Sequence, residues 1–424
     1  MRLRLPLTLL AVAILVLAGC KTSPIPNNRL FLEDAPPDRL FIELSRMPSW
    51  IGQSRIARLN EAQFFDRAYE PSSGEVTIFN LFDDVQLAVT SKDYLGVGSG
   101  TTIWHGQVNN EEVLRIALAV VGREITGEIL TLSETIRITA LGNGWHRIDR
   151  IAPGQLPVEG EPIEVSSEGL DAENVLANCD EADETRPPPG PGRGARVRLL
   201  LAYTPAAVAA IGNINVFSDL LLDQLTQIWT DSENFAVYPE LALVTQVSYT
   251  ESGRSLTDLT RLQGRRDGFM DELHTLRNSS GADLVALINV ASDVCGIAYY
   301  NYPPSRQNAN YGFSVTNESC ALGGLTLAHE LGHNFSMQHD RYVSRSRSDR
   351  YNYGYSNLML RVRDVMAYTN ECGSRGFYCQ RIPSYSHPYL FIRNERLGVP
   401  IGSSGAAHNR NMLCVAANAV SRYR

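Results

Sequence analysis

The chain lacks a surplus of positive charge. Its 38 Lys and Arg stand against 46 Asp and Glu, giving a formal net charge of −8 and an isoelectric point near 5.6, which excludes the basic footprint of a nucleic-acid-binding protein. A second long apolar run is also missing. Leu5 to Leu17 is almost wholly apolar, and no later stretch reaches the length of a transmembrane helix. The first half has no catalytic constellation either. His105 and His146 each follow a Trp in strand-like sequence and read as packed or surface residues, so the chemistry has to be sought further on.

What is there begins with a leader. Met1-Arg2-Leu3-Arg4 is a short basic region, and with the apolar run behind it forms a secretory signal peptide over 1–19, too short and too early for a membrane span. It closes on Leu17-Ala18-Gly19-Cys20, which resembles the lipobox of bacterial lipoproteins and implies acylation of Cys20. Such acyl chains anchor a soluble protein to a membrane without spanning it. Lys21, in place of Asp, resembles an outer-membrane sorting choice in a Gram-negative organism. The expected location is therefore the bacterial cell envelope, with the catalytic part held there or released. Residues 20–40, with Pro24, Pro26, Pro36 and Pro37, read as an extended tether.

The remainder is long enough for two domains. Residues 41–164 show short runs of alternating and β-branched residues from about 72 onward, the pattern of a mainly-β unit. Residues 165–194 are acidic and then rich in Pro and Gly, a linker that buries no core and is open to proteolysis. From 195 to 424 strands and helices alternate: Val197 to Tyr203, a helical stretch after Gly212, Leu241 to Tyr249, a helical run from Leu256 to Leu276 interrupted by Gly264 and Gly268, and Asp283 to Val290. This is an α/β (α+β) order with a mixed sheet. A closing helix is expected over about Asn409 to Tyr423.

With Cys20 lipidated, six cysteines remain: Cys179, Cys295, Cys320, Cys372, Cys379 and Cys414. An even number outside the cytosol favours disulfides, and Cys372 with Cys379 would close a short loop. Cys179 lies in the linker and carries two readings: a thiolate that silences a metal centre, or a disulfide to the catalytic part, with Cys414 as partner.

The chemistry concentrates in His329-Glu330-Leu331-Gly332-His333-Asn334-Phe335-Ser336-Met337-Gln338-His339-Asp340. On a helix, residues four apart differ by about 40° around the axis, so His329 and His333 share a face and can reach one metal ion. His339 would lie about 240° round from His333 if the helix continued, so the chain must break between them for three imidazoles to converge. Three neutral His with one open position describe a catalytic zinc site. Glu330, beside the first His, is placed as a general base. His387 and His408 have no partner at chelate spacing and read as non-ligands.

The spacing His-Glu-x-x-His-x-x-Gly-x-x-His resembles the zinc signature of the metzincin proteases, and the following Asp340 resembles their reprolysin (adamalysin) branch. Asp364-Val365-Met366-Ala367-Tyr368 resembles the Met-turn of that clan, with Met366 placed 27 residues (366 − 339) beyond the third His. The likeness extends to the bacterial peptidyl-Asp metalloendopeptidase group over about 195–424. It implies one catalytic Zn2+, a peptide or protein substrate, and a Met366 that floors the site without binding metal. It also implies that the N-terminal β unit is a propeptide or a retained accessory domain, and that Tyr311 to Val315 is the sheet edge that pairs with substrate. Where the family usually has Gly, this chain has Ser336, at a cost of about 1 kcal/mol if the backbone there has positive φ. Tyr368 is a candidate for stabilising a developing oxyanion, or else packs the Met-turn.

The expected function is a zinc-dependent endopeptidase at the cell envelope, monomeric, with no nucleic-acid partner. A calcium ion is left open, with no residue set supporting it. Two alternatives stand beside this reading: a catalytically silent zinc lipoprotein that binds peptide, and a peptidase acting only on its own linker. Arg361, Arg363, Arg375 and Arg381 lie near the Met-turn as candidates for a positive pocket, alongside the plainer reading of scattered surface arginines.

Overall fold

The computed structural model describes residues 28–38, 40, 48–97, 100–108, 113–152, 154–166, 194–230, 236–345 and 350–424. The signal peptide, Cys20 and Cys179 fall outside these residues. Nine strands build the N-terminal unit: β1 (Phe31–Leu32), β2 (Ile51–Leu59), β3 (Thr77–Phe82), β4 (Val85–Gly96), β5 (Thr102–Gln107), β6 (Val113–Val121), β7 (Glu124–Thr131), β8 (Thr135–Gly142) and β9 (Trp145–Ile151). They pair in the order β1-β2-β9-β8-β7-β6-β5-β4-β3. A bridge between Arg29 and Ile78 joins the two edges and closes the sheet, which removes the exposed edges that invite aggregation. Inside lie Phe64, Phe79 and Trp104, with Trp104 edge-on to Phe64 at 5.1 Å.

Two expectations need correction here. The extended tether expected over 20–40 does not run its full length, since Leu30 and Phe31 are fully buried and Asn80 holds both the N–H and the carbonyl of Phe31. Within 41–164 the strands start earlier than the pattern from about 72 onward suggests, because β2 already pairs with β9. Arg55 and Arg58 interrupt the apolar pattern of β2, which is why its sequence does not read as a strand.

The C-terminal unit has a six-stranded mixed sheet. Its strands are β10 (Ile163–Ser166), β11 (Gly194–Tyr203), β12 (Ala236–Gln246), β13 (Leu284–Asn289), β14 (Gly296–Tyr302) and β15 (Phe313–Asn317), in the order β10-β14-β15-β13-β11-β12. Helix α1 (Ile214–Thr230) packs on one face, with Trp229 edge-on to Phe335 at 5.1 Å. On the other lie α2 (Ser255–Gln263) and α3 (Glu272–Ser280), which bury Leu259, Leu262 and Leu273. The break between them falls at the two glycines marked in the sequence. Helix α4 (Thr326–Asn334) carries the histidine motif, and α5 (Asn409–Val420) closes the chain.

The substrate-side edge differs from expectation. Residues 313–317 lie inside the sheet, between β13 and β14. It is β14 that runs antiparallel along the outer side of β15, and β10 covers it in parallel register from Ile163↔Tyr299 to Ser166↔Tyr302. The two units share one core: Ile103, Ala117, Ala119 and Leu130 of the closed sheet cluster with Leu221, Leu225 and Leu322. A buried polar network crosses beside it. Arg115 bridges Glu128 at 3.0 Å and Asp223 of α1 at 2.6 Å, and Gln224 donates to Glu128 at 2.7 Å.

Candidate metal centre and cleft

Helix α4 starts at Leu325, which has positive φ, and stops after Asn334. The stop is made by Ser336, whose φ is +64°; the Met337 N–H turns back to the Gly332 carbonyl at 3.0 Å. The left-handed residue lets the chain reverse so that His339 comes round to the other two histidines. Ser tolerates this conformation here because its hydroxyl donates to the Asn301 carbonyl, and Asn352 holds its own carbonyl at 2.6 Å. The strain expected from the sequence is present, and a side-chain hydrogen bond offsets it.

The three imidazoles converge. His339 Nε2 lies 3.0 Å from His333 Nε2 and 3.3 Å from His329 Nε2. Nδ1 of His329 donates to the Val365 carbonyl at 2.8 Å and Nδ1 of His333 to the Met337 carbonyl at 2.9 Å, so both present a bare Nε2 lone pair to the common centre. Lone pairs this close repel one another unless a cation sits among them, and backbone acceptors behind ligating histidines are what a metal site requires. Burial keeps all three neutral. It pushes His333 down to about 4, and His329 and His339 lie well below the usual imidazole range, with the neighbouring His333 and Arg381 adding to the effect. Among the described residues this is the one cluster of side chains that could hold a metal ion. The donor set, three buried imidazole nitrogens, fits zinc.

Glu330 is fully buried, and neither carboxylate oxygen has a hydrogen-bond partner. Burial, then the nearby Glu159, raises its pKa well above the ordinary value, while Arg381 opposes the shift. The space for this carboxylate comes from Gly296, where an added Cβ would stand 2.5 Å from Glu330 Oε1.

The Met-turn lies under the helix. Met366 is fully buried against Gly332, and Asp364 pins the turn by accepting from the Ala367 and Ser386 N–H groups, each at 2.7 Å. Asp340 caps the helix that follows His339 and accepts from the Tyr368 N–H at 2.8 Å, tying the third histidine to the turn. Tyr368 lies against His339, with ring centroids 4.1 Å apart. Its hydroxyl donates to the carbonyls of Glu159 (3.1 Å) and Gly160 (3.2 Å). Burial, with Glu159, Glu161 and Glu330 nearby, raises its pKa and keeps the proton on.

Glu159 was not singled out by sequence. It arrives on the segment before β10, and only a run of close carboxylates, Glu159, Glu161 and Glu164, marks the stretch. Of the other histidines, His146 is fully buried in the closed sheet and His105 bridges Asp93 and Asp223. His387 and His408 lie against each other, with ring centroids 5.4 Å apart, outside the three-histidine cluster. Disulfides join Cys372 to Cys379, as the short loop suggests, and Cys295 to Cys320; Cys414 is also disulfide-bonded.

Comparison with known proteins bears on this geometry. The metallo-peptidase family M12B reprolysin-like model matches residues 233–340, a span that ends just past the third histidine. A peptidyl-Asp metalloendopeptidase of Stenotrophomonas maltophilia is 28% identical over 365 residues, 82% of each chain. The chain is a metalloendopeptidase similar to the reprolysin-like peptidases. A second relative of the peptidase, the peptidyl-Asp metalloendopeptidase of Xanthomonas campestris, is 28% identical over 350 residues, 78% of each chain. Both matches are longer than the C-terminal unit alone, so the likeness reaches into the N-terminal unit of the peptidase. The solved metalloproteinase-II of Bacteroides fragilis overlays with a TM-score of 0.43 at 12% identity, covering 76% of this chain and 90% of its own, an overlap too loose to bear on function.

Proposed function

We propose that the chain is a zinc endopeptidase held at the bacterial cell envelope by a lipid on Cys20, and that it cuts peptide bonds beside acidic residues. The observation that carries the hydrolytic part is the meeting of three bare imidazole nitrogens with a buried carboxylate, Glu330, whose oxygens have no other partner. His329, His333 and His339 would hold the ion, which when bound lowers the pKa of water and polarises a peptide carbonyl. Glu330 takes a proton from water and delivers it to the leaving amine, a role for which its raised proton affinity suits it. Tyr368 keeps its proton and has a hydroxyl aimed at backbone carbonyls in the cleft, so it can donate to a carbonyl oxygen as charge develops there. Strand β14 supplies backbone groups for an extended peptide. The acidic preference is drawn from the relatives' names, and the envelope location from the run Leu17-Ala18-Gly19-Cys20.

The test compares the protein from Lys21 onward with its Glu330→Gln variant, intact and nicked in the 186–194 stretch, for zinc content and casein hydrolysis. One equivalent of zinc in both, with hydrolysis confined to the parent, is the expected result. Zinc without hydrolysis by the parent in either form would favour a peptide-binding lipoprotein instead.

A further inference from the structure

The cleft contains a piece of the chain itself. After β9 the backbone crosses the site: the Val158 carbonyl accepts from the Cys295 N–H and the Gly160 N–H donates to the Gly296 carbonyl, each at 2.8 Å, before β10 settles on β14. Where it passes Tyr368, the side chain of Glu159 turns inward. Its Oε1 accepts from Arg381 Nη1 at 2.5 Å and from Thr326 Oγ1 at 3.0 Å, and both members of the ion pair have only 6% of their side chains exposed. Thr326 opens α4 and lies one turn before His329, so this pair sits beside the metal centre.

Of the four arginines near the Met-turn, only Arg381 presents its charge to a carboxylate in the cleft. Arg363 is spent on the carbonyls of Cys379 and Ala367, Arg361 lies over the Phe377 ring, and Arg375 is exposed. The Glu159 contact leaves both ends incomplete: Glu159 Oε2 and Arg381 Nε are buried with no partner. The pair borders a cavity of about 110 Å³ lined also by Gly324, Tyr378 and Gln380. Its outer wall, Gly154 to Glu159, is the crossing segment. A buried guanidinium stripped of its partner demands another anion, and a peptide that displaces the segment can supply one from an acidic side chain, with room to engage the free Nε.

We propose that Arg381 is the residue that reads the acidic side chain of the substrate, and that Glu159 fills its pocket as an internal stand-in for that side chain. The inference rests on the peptidase reading above, and its test has an arm that needs no turnover. In full-length, zinc-loaded protein carrying Glu159→Ala, two blocked hexapeptides differing only by Asp or Asn are titrated calorimetrically. The Asp peptide binds at least tenfold tighter; adding Arg381→Gln brings the two within about twofold, and Arg381→Lys, which keeps the charge, preserves the order. Equal binding of the pair, or binding of neither, overturns the proposal. In the hydrolysis arm, Arg381→Gln lowers kcat/KM on the Asp peptide by at least thirtyfold and leaves the Asn peptide within about threefold. An equal fall on both would mark Arg381 as merely structural. Parent protein that hydrolyses neither peptide, yet discriminates them in binding through Arg381, would defeat the peptidase reading and leave this one standing.

Discussion

Gly332 stands so close to Met366 that a Cβ on it would lie 2.5 Å from the sulfur. The helix bearing the first two histidines can therefore rest on the Met-turn only because position 332 has no side chain. Gly332→Ala is expected to force the two apart, costing about 1–3 kcal/mol as overpacking does. Thermal unfolding together with zinc content checks this: a lower Tm and less than one equivalent of zinc are expected, and an unchanged Tm would show that the contact is soft.

Ser336 separates two opposing effects. Ser336→Ala keeps the left-handed strain and loses the hydroxyl's bond to Asn301, so it should cost about 1 kcal/mol. Ser336→Gly loses the same bond and also the strain, so it should lie near the parent. Urea midpoints of the three proteins decide the point, and equal stability of the Ala and parent proteins would refute the offset.

His105 makes the junction between the two units pH-dependent. Burial pulls its pKa down, but Asp223 and then Asp93 outweigh that and the net shift is upward; Arg115 faces Asp223 from β6. A raised folded pKa means stability fully present below the ordinary imidazole value of about 6.5 and lost as pH rises through the raised one. The parent's advantage over His105→Asn in urea should thus be largest at mildly acid pH and fade above neutrality. An advantage independent of pH would rule out the charged bridge.

Cys20 is expected to decide partitioning. In detergent phase separation of expressing cells, the parent should enter the detergent phase and Cys20→Ala the aqueous phase. A parent found in the aqueous phase would remove the lipid anchor from the proposal.

The metal centre was legible because its chemistry is written in short-range spacing. His329 and His333 are fixed by helix geometry, and the need for a break before His339 follows from the same arithmetic. Most strands of the closed sheet could also be read, since each is a local alternation. What stayed hidden is pairing between distant segments. Nothing in Phe313–Asn317 or Gly296–Tyr302 says which lies outermost, since both strands are buried throughout. Four residues at Ile163–Ser166 carry no pattern that points to a partner more than a hundred positions away. Arg381 could be named only as one arginine among four, because the carboxylate that singles it out comes from Glu159.

The strand that covers β14 is joined to the catalytic unit through the stretch between Ser166 and Gly194. While that covalent link is intact, the occupant of the cleft is present at a fixed effective concentration, and dilution of the protein does not loosen it. Cutting the link does not by itself free the occupant, which is still held by the shared apolar core and by the Arg115 bridges, in a chain whose Cys414 remains disulfide-bonded. Scission and opening are then separate events: the first frees one attachment of the occupant, and the second depends on how readily the shared core and the ion pairs part while Cys414 stays disulfide-bonded.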